Sequence, residues 1–480
     1  MKRLSLNRLS LIAFCCALML AAGCGETTPN CSIAGTCTDT DLLSVVAISR
    51  HGIRSPTSGQ ATMDSYTQQP QGFPLWPFPA DTTGQLSTKG QQNATLLGSW
   101  YRDFYVAQGL LPARGTCPAA DTVFVYADGF QRTIQTGLGY LDGMFQGEAT
   151  LDCGFQVNVS LNLPDPPDPY IDTVSAQVCA IDIPEDQAAF NERIGGNPGS
   201  LIFRNFAALR ELQTVTHCCQ LSACVTPANP NPASCSLLEL PNTVSTTESV
   251  AFAPGTMFDV ADNVTETFEM EYAQGMPDAN CLLASGAQCV GWAAIPPPNG
   301  LFDMTALHVE NIKNLTCQLP SFAQVGSSNL MWQVVGTMDQ TLTGMHSADI
   351  LAPAESTFTL FVAHDENISA IAGFLGGLSW QADGFQPNDP GPAGALVFEL
   401  HRVKQSGQLI VRVFYVIASL DQMRNGTTLT LDTPPRRIPL RIPKCGNRLD
   451  CPYDRFKTFV TSNVRQDCLV PGPAMAVRQR

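Results

Sequence analysis

The sequence predicts an α/β protein: a central mixed sheet flanked by helices, with a mostly helical insertion domain covering the active site. Three observations predict it. Short apolar runs at Leu42 to Ile48, Val123 to Tyr126 and Phe358 to Ala363 are each followed by polar residues and then a helical pattern. Between the second and third runs, residues 180–320 carry helical stretches broken by Pro- and Cys-rich loops. Beyond the third, Ala395 to Arg402 and Gln408 to Val416 read as two strands joined by Lys404-Gln405-Ser406-Gly407.

Each element has its own justification. Lys2, Arg3 and Arg8 form a positive start before an apolar run, Leu11 to Ala22, too short to span a bilayer comfortably, so residues 1–23 read as an export signal. Ala21-Ala22-Gly23 directly before Cys24 resembles a bacterial lipoprotein box, which would make Cys24 the acylated first residue. An ordinary cleaved signal with an incidental Cys is the alternative. Residues 24–40 are small and polar, as a tether between lipid and domain should be. An α/β domain is then expected over 41–180, the helical insertion over 181–320, and the second part of the α/β domain over 321–480. Within the insertion, Ser200 to Val215 and Val260 to Gln274 carry the helical pattern. The apolar runs are continuous, which marks strands buried on both faces, and such sheets gather chemistry at their carboxyl ends.

With 480 residues and 44% hydrophobic content, the chain is long enough to bury a substantial core. Its 27 Lys+Arg against 42 Asp+Glu give a net charge of −15, and the absence of a basic patch argues against a nucleic-acid partner. Of 18 cysteines, fifteen remain after Cys15, Cys16 and Cys24 are set aside, far more than a reduced cytosolic enzyme keeps. Close pairs occur at Cys31 and Cys37, Cys281 and Cys289, and Cys445 and Cys451. Zinc competes for Cys218, Cys219, Cys224 and Cys235, but no C-x-x-C pair or repeated His accompanies them, so bridges are preferred. The odd count leaves one thiol over, assigned to Cys317.

The chemistry is concentrated after the first strand, in Ser49-Arg50-His51-Gly52-Ile53-Arg54-Ser55-Pro56-Thr57. Two guanidiniums offer forked donors to phosphate oxygens and neutralise a dianion that would repel a nucleophile. Their field also disfavours imidazolium, keeping a nitrogen of His51 free to attack phosphorus. Gly52 is expected to let the backbone approach the ligand. A solvated basic turn is the bland alternative, but the other strand ends weigh against it. The third ends in His364-Asp365-Glu366-Asn367, where His364 can donate to a phosphate oxygen and Asp365 is an N-cap, a leaving-group acid, or both. After the second strand, Asp128 to Thr133 offers a third guanidinium, Arg132.

This pattern resembles the histidine acid phosphatases, in particular their bacterial acid phosphatase and phytase branch. R-H-G-I-R-S-P-T and F-V-A-H-D-E-N carry the resemblance, with R-T-I-Q-T-G from Arg132, Ala273-Gln274-Gly275-Met276-Pro277 before Gly291-Trp292, and Gln422-Met423-Arg424 near the C-terminus. It runs from about residue 42 to 470. The resemblance implies His51 as nucleophile, with a phosphohistidine intermediate. Arg50, Arg54, Arg132 and His364 would hold the phosphoryl oxygens and Asp365 would protonate the leaving group. It implies no metal and no cofactor, and bridges of Cys117 with Cys153, Cys179 with Cys468, and Cys445 with Cys451.

Substrate choice is less sharply written. Ser58-Gly59 stands where a dedicated phytase is expected to carry a basic residue, and Leu307 to Cys317 brings only Lys313, so a broad acid phosphomonoesterase is preferred. A phytase or glucose-1-phosphatase specialist is the alternative. Thr57, Glu269, Met276 and Glu366 are the candidate pocket residues. Glu269 and Glu271 either bind sugar hydroxyls or form a solvated helix face, the latter preferred. Glu366, if turned inward, would raise the pKa of Asp365. The expected partner is a small-molecule phosphate ester, the membrane is reached through the lipid anchor only, and the chain is expected to be a monomer. A surface protein that binds a phosphorylated ligand without turnover, and a mutase-like transferase, are the competing functions. The first has no need of a nucleophile and an acid. Export and the helical insertion weigh against the second.

Overall fold

Strand β1, Thr40–Arg50, is buried from Ser44 onward, and it shares one sheet with the other two apolar runs: β2, Val123–Ala127, and β6, Phe358–Ala363, both buried throughout. The computed structural model describes residues 39–68, 72–76, 82–145, 153–160, 167–220, 224, 235–276, 300–472 and 475–478. The export segment, Cys24, the tether to residue 38, Cys281, Cys289, Pro277 and Gly291-Trp292 lie outside them.

The three runs pair in parallel in the order β1-β6-β2, with Arg50 opposite Ala363 and Ala127 opposite Val362. A further parallel strand, β3 (Val157–Ser160), adds to β2, and β11 (Met475–Arg478) closes that edge antiparallel. On the other side β7 (Ala395–Val403) and β8 (Leu409–Ile417) form the hairpin read from the sequence, and β9 (Arg436–Leu440) and β10 (Cys451–Pro452) pair with β8. The sheet is therefore mixed, with nine strands among the described residues. A separate pair, β4 (Val244–Ser245) and β5 (Ala251–Phe252), stands outside it.

Helices α1 (Thr88–Ala107) and α2 (Gln131–Phe145) pack closely together, and the approach depends on missing side chains. A Cβ on Gly143 would lie 1.9 Å from the Thr95 carbonyl oxygen, and one on Gly98 2.2 Å from that of Tyr140. Gly52 serves the same purpose. A Cβ there would meet Gly90 O and Leu86 Cδ1 at 3.1 Å, so its smallness seats β1 on the start of α1 rather than admitting a ligand.

The principal core surrounds the sheet, with Ile48, Tyr126, Phe361 and Phe398 wholly buried. A second core belongs to the helical stretch after residue 180: Phe190, Leu209, Phe258 and Phe268, the last two from helix α3 (Met257–Gln274), with Leu307. Met63, Tyr66 and Phe73 join it, so part of the first 41–180 segment packs with the helices rather than with the sheet. The predicted run Ser200 to Val215 is two helices, Gly199–Arg204 and Phe206–Thr216, because Asn205 leaves helical geometry and turns its side-chain amide back to Leu201 O at 2.9 Å. Leu307–Cys317 is π-helical and leads into α4 (Pro320–Thr343), and α5 (Asp365–Phe374) follows β6. Cys117–Cys153, Cys179–Cys468 and Cys445–Cys451 are bridged. Cys224 pairs with Cys235 and Cys218 with its neighbour Cys219, while Cys317 is a free, buried thiol.

Candidate active site

Because β1, β6 and β2 are parallel neighbours, their carboxyl ends set Arg50 to Arg54, His364 to Glu366 and Asp128 to Arg132 side by side. The His51 backbone N–H donates to Ala363 O at 3.0 Å, tying the first two ends together. The His51 ring is buried, with Nδ1 2.9 Å from Gly52 O. Burial, then the guanidiniums of Arg132, Arg54 and Arg50 and the His364 ring, hold this imidazole well below its ordinary pKa. A neutral ring carries one hydrogen, and a carbonyl can only accept, so Nδ1 bears it. Nε2 keeps its lone pair.

Arg50 is fully buried: Nη1 donates to Pro390 O at 3.1 Å, and Nη2 donates to Glu266 Oε1 and lies 3.2 Å from Asp365 Oδ2. Arg54 Nη2 donates to the same Glu266 oxygen at 2.6 Å. Arg132, in the first turn of α2, stacks on Phe130 at 4.0 Å; burial, reinforced by the charge of Arg54, brings it down to about 10. The buried Nε–H groups of all three arginines have no hydrogen-bond partner, so each keeps a donor for an oxyanion. His364 lies 5.6 Å from His51 by ring centroids, but its Nε2 is bonded to Asp128 Oδ2 at 2.6 Å. Sequence reading uses the Asp128 to Thr133 stretch only for Arg132; the structure adds Asp128 as the partner of His364.

His364, not Asp365, is the N-cap residue of α5, with its N–H taken by Asn367 Oδ1 at 3.0 Å. Asp365 is the first helical residue, and its carboxylate faces cations. Burial would push that carboxyl up, but Arg50, Lys313 and His308 overcome it and hold it well below the usual carboxylate range. Lys313 reaches in from the π-helical stretch, 3.4 Å from Asp365 Oδ2 and 3.3 Å from Glu366 Oε1. The Glu366 side chain is 48% exposed, and its charge is met by Lys313.

Helix α3 contributes what sequence reading misses. Asp262, Glu266 and Glu269 fall four and three residues apart and so share one face. Asp262 bonds His308 Nδ1, and Glu266 bridges the two arginines. Burial opposes its charge, yet Arg54, His308 and Arg50 bring Glu266 down to about 2. Glu269 and Glu271 are both buried, so their helix face is not solvated. Burial, then the neighbouring carboxylate of Asp389, lifts Glu269 far above its ordinary value, which makes the two a carboxyl–carboxylate pair behind Arg50. That spacing of acids was the available signal.

The remaining pocket candidates are peripheral. Thr57 is exposed and lines Gly84 together with Arg132 Nη1. Met276 packs on the principal core beyond the end of α3, about 15 Å along the helix from Glu266, and its carbonyl accepts from Arg424. Ligand-type atoms of Glu266, His308 and Asp365 lie within 4.8 Å of one another. Arg50 already contacts both carboxylates and Lys313 one of them, so we do not assign these residues as metal ligands. Among the described residues, no helix is long and apolar enough to cross a membrane.

A buried, oriented imidazole in the field of three guanidiniums has the makeup of a nucleophile toward a phosphate ester. Comparison with known proteins points the same way. The family model of the histidine phosphatase superfamily (branch 2) matches residues 41–249. Phytase AppA of Escherichia coli strain K12 is 29% identical over 423 residues, covering 88% of this chain and 91% of the relative. A glucose-1-phosphatase of Salmonella typhimurium is 26% identical over 427 residues, covering 88% and 92%. Among solved structures, Hafnia alvei phytase in complex with tartrate superposes with a TM-score of 0.75 at 28% identity, over 90% of this chain and 100% of that one. The phytase of Citrobacter braakii gives 0.77 at 26% identity, over 90% and 99%. Sheet, strand-end residues and relatives agree in supporting this chain as a member of the histidine acid phosphatase family, in the second branch of the histidine phosphatase superfamily.

Proposed function

We propose that the protein is an acid phosphomonoesterase that moves the phosphoryl group of an organic ester first to His51 Nε2 and then to water. The observation that carries this is the hydrogen bonding of His51: Nδ1 is spent on Gly52 O, and burial together with the surrounding cations favours the neutral ring. Arg50, Arg54 and Arg132 bind the phosphoryl oxygens and supply the positive charge that the transition state needs. His364, fixed by Asp128 through Nε2, packs beside the nucleophile. The P–O bond to the leaving alcohol breaks as the P–N bond forms, and Asp365 donates the proton to the departing oxygen. Water then attacks phosphorus, and the proton it loses returns to Asp365.

A phytase and a glucose-1-phosphatase among the relatives support this class and leave open which ester is used. We read the enzyme as a broad phosphomonoesterase. Glu366 and Thr57 are exposed without bringing a guanidinium for further phosphate groups. Export is supported by the bridged cysteines, and acylation at Cys24 by the sequence before it. Radiolabelled palmitate incorporated into the chain but not into Cys24→Ala checks the anchor.

The test of function is hydrolysis of phytate, glucose 1-phosphate and p-nitrophenyl phosphate without added metal, from about pH 3 to 8. The protein turns over at least one ester, and His51→Ala loses on the order of 10⁴-fold or more. Absence of turnover by correctly oxidised protein, or an active His51→Ala, overturns the proposal. The relative rates decide between a broad enzyme and a specialist.

A further inference from the structure

Three cations converge on a single oxygen of Asp365. Oδ2 lies 3.2 Å from Arg50 Nη2, 3.4 Å from Lys313 Nζ and 3.7 Å from His308 Nε2, while Oδ1 accepts the Glu366 backbone N–H at 2.9 Å. A guanidinium and an ammonium do not release protons to a carboxylate in acid. Burial works against their charge, but the surrounding acids outweigh it and raise both pKa values. The imidazole is the one contact of the three that has a second nitrogen on another carboxylate, so it can yield a proton at Nε2 while Asp262 holds the one at Nδ1.

His308 is built for that use. It sits buried on the π-helical stretch, its Nδ1 is bonded to Asp262, and its Nε2 makes no hydrogen bond and points along the approach to Asp365. A carboxylate on one nitrogen fixes the ring and stabilises its charge, leaving the other N–H to face the acid. The 3.7 Å separation is longer than a hydrogen bond, as such contacts often are before substrate binds.

We propose that His308, held by Asp262, supplies the proton that Asp365 passes to the leaving oxygen. The inference rests on Asp365 as the leaving-group acid. In the first half-reaction the P–N bond to His51 forms as the ester P–O bond breaks, and the proton of His308 Nε2 moves onto the Asp365 carboxylate and from it to the leaving oxygen, so Asp365 ends the step ionised as it began. His308 is left neutral with its Nδ1 hydrogen on Asp262. In the second, the P–N bond to His51 breaks as water oxygen bonds phosphorus, and the water proton returns through Asp365 to His308. The proton count closes over the cycle, and His308 acts through Asp365 as a positioning residue rather than touching substrate.

The groups facing His308 are Asp262, Glu266 and Glu269 on α3, Asp365 on α5 and Asp389, with Arg50 and Lys313 beyond Asp365. Burial disfavours the imidazolium, but Asp262, Asp365 and Glu266 raise it to about 10, so the proton is in place throughout the acid range.

The test compares kcat/KM for p-nitrophenyl phosphate, whose phenolate leaves unaided, with glycerol 2-phosphate, whose alkoxide needs the proton. Purified, oxidised full-length protein is used, with Asp365→Asn, His308→Gln and Asp262→Asn. Asp365→Asn and His308→Gln each lose about 10²-fold or more on the alkyl ester and only a few-fold on the aryl ester. Asp262→Asn, at a partly exposed position, shows the same split more weakly, and carries the test if His308→Gln does not fold. If Asp365→Asn splits the esters while the other two lose equally on both, or lose nothing, His308 is a packing residue and the inference falls. If Asp365→Asn itself shows no split, the acid assignment fails first.

Discussion

At the scale of the residue, the site is a contest among charges. Glu266 occupies the donors that a phosphate oxygen would use on Arg50 and Arg54, and at about 2 it stays ionised across the acid range. Glu266→Gln removes that competition, so inorganic phosphate, the product, inhibits about tenfold more tightly; an unchanged inhibition constant contradicts this. Lys313 lowers the Asp365 carboxyl, hence Lys313→Met raises it. The alkaline limb of the kcat/KM profile then moves to higher pH, and a limb that stays or moves down contradicts the pairing seen here. Legibility at this scale follows contiguity. Arg50, His51 and Arg54 stand together because one strand end presents them, so sequence shows them as a motif. Glu266 and His308 reach the same point from the helical insertion, and only the packing of α3 and the π-helical stretch on the sheet reveals the meeting.

At the scale of the element, close helix packing and long bridges carry the frame. A methyl group on Gly143 has no room against the Thr95 carbonyl, so Gly143→Ala is expected to cost about 3 kcal/mol, read from the urea midpoint. Cys179 and Cys468 are 289 residues apart, and their bridge joins the start of the helical insertion to the C-terminal segment. Replacing both by Ala releases a very long loop and removes about 5 kcal/mol, seen as a lower melting temperature than that of the oxidised protein. An unchanged midpoint in either variant would mean that these contacts relax. The strands that were legible, β1, β2 and β6, are continuous apolar runs buried on both faces. Strand β3 was not, because four residues including Asn158 carry too little pattern and owe their conformation to β2 beside them. The break at Asn205 was hidden for the opposite reason: the helical pattern continues through it, and only a side-chain hydrogen bond ends the first helix.

At the scale of the whole molecule, buried ionisable groups favour acid. Burial raises Asp168 and Asp186 to about 6, so what they contribute to stability is complete below their unfolded pKa and fades as pH rises through 6. His308, raised to about 10, adds stability that is complete below its unfolded value and is lost as pH climbs toward 10. Glu399 runs the other way. Burial opposes its charge, but Arg437 and His401 bring it down to about 2, so its contribution holds above its unfolded pKa and is lost only as pH falls through 2. The melting temperature is thus expected to be at least as high at pH 4.5 as at pH 7.5, with collapse only near about pH 2. A steady fall from neutral to pH 4.5 contradicts this. The α/β class and the helical pattern after residue 180 were legible from the apolar runs and periodicity, but the sharing of Met63, Tyr66 and Phe73 with the second core was not, since no local pattern says which core an apolar residue joins.

All of these effects serve one claim, that His51 Nε2 becomes phosphorylated during turnover. The direct measurement mixes the enzyme with an isotopically labelled phosphate monoester, quenches it in alkali within the first turnovers, and maps the label by mass spectrometry. An alkali-stable, acid-labile phosphoryl group on the peptide carrying His51, absent from His51→Ala, is the expected result. Sustained turnover with no label on His51, or with the label on another side chain, would contradict it.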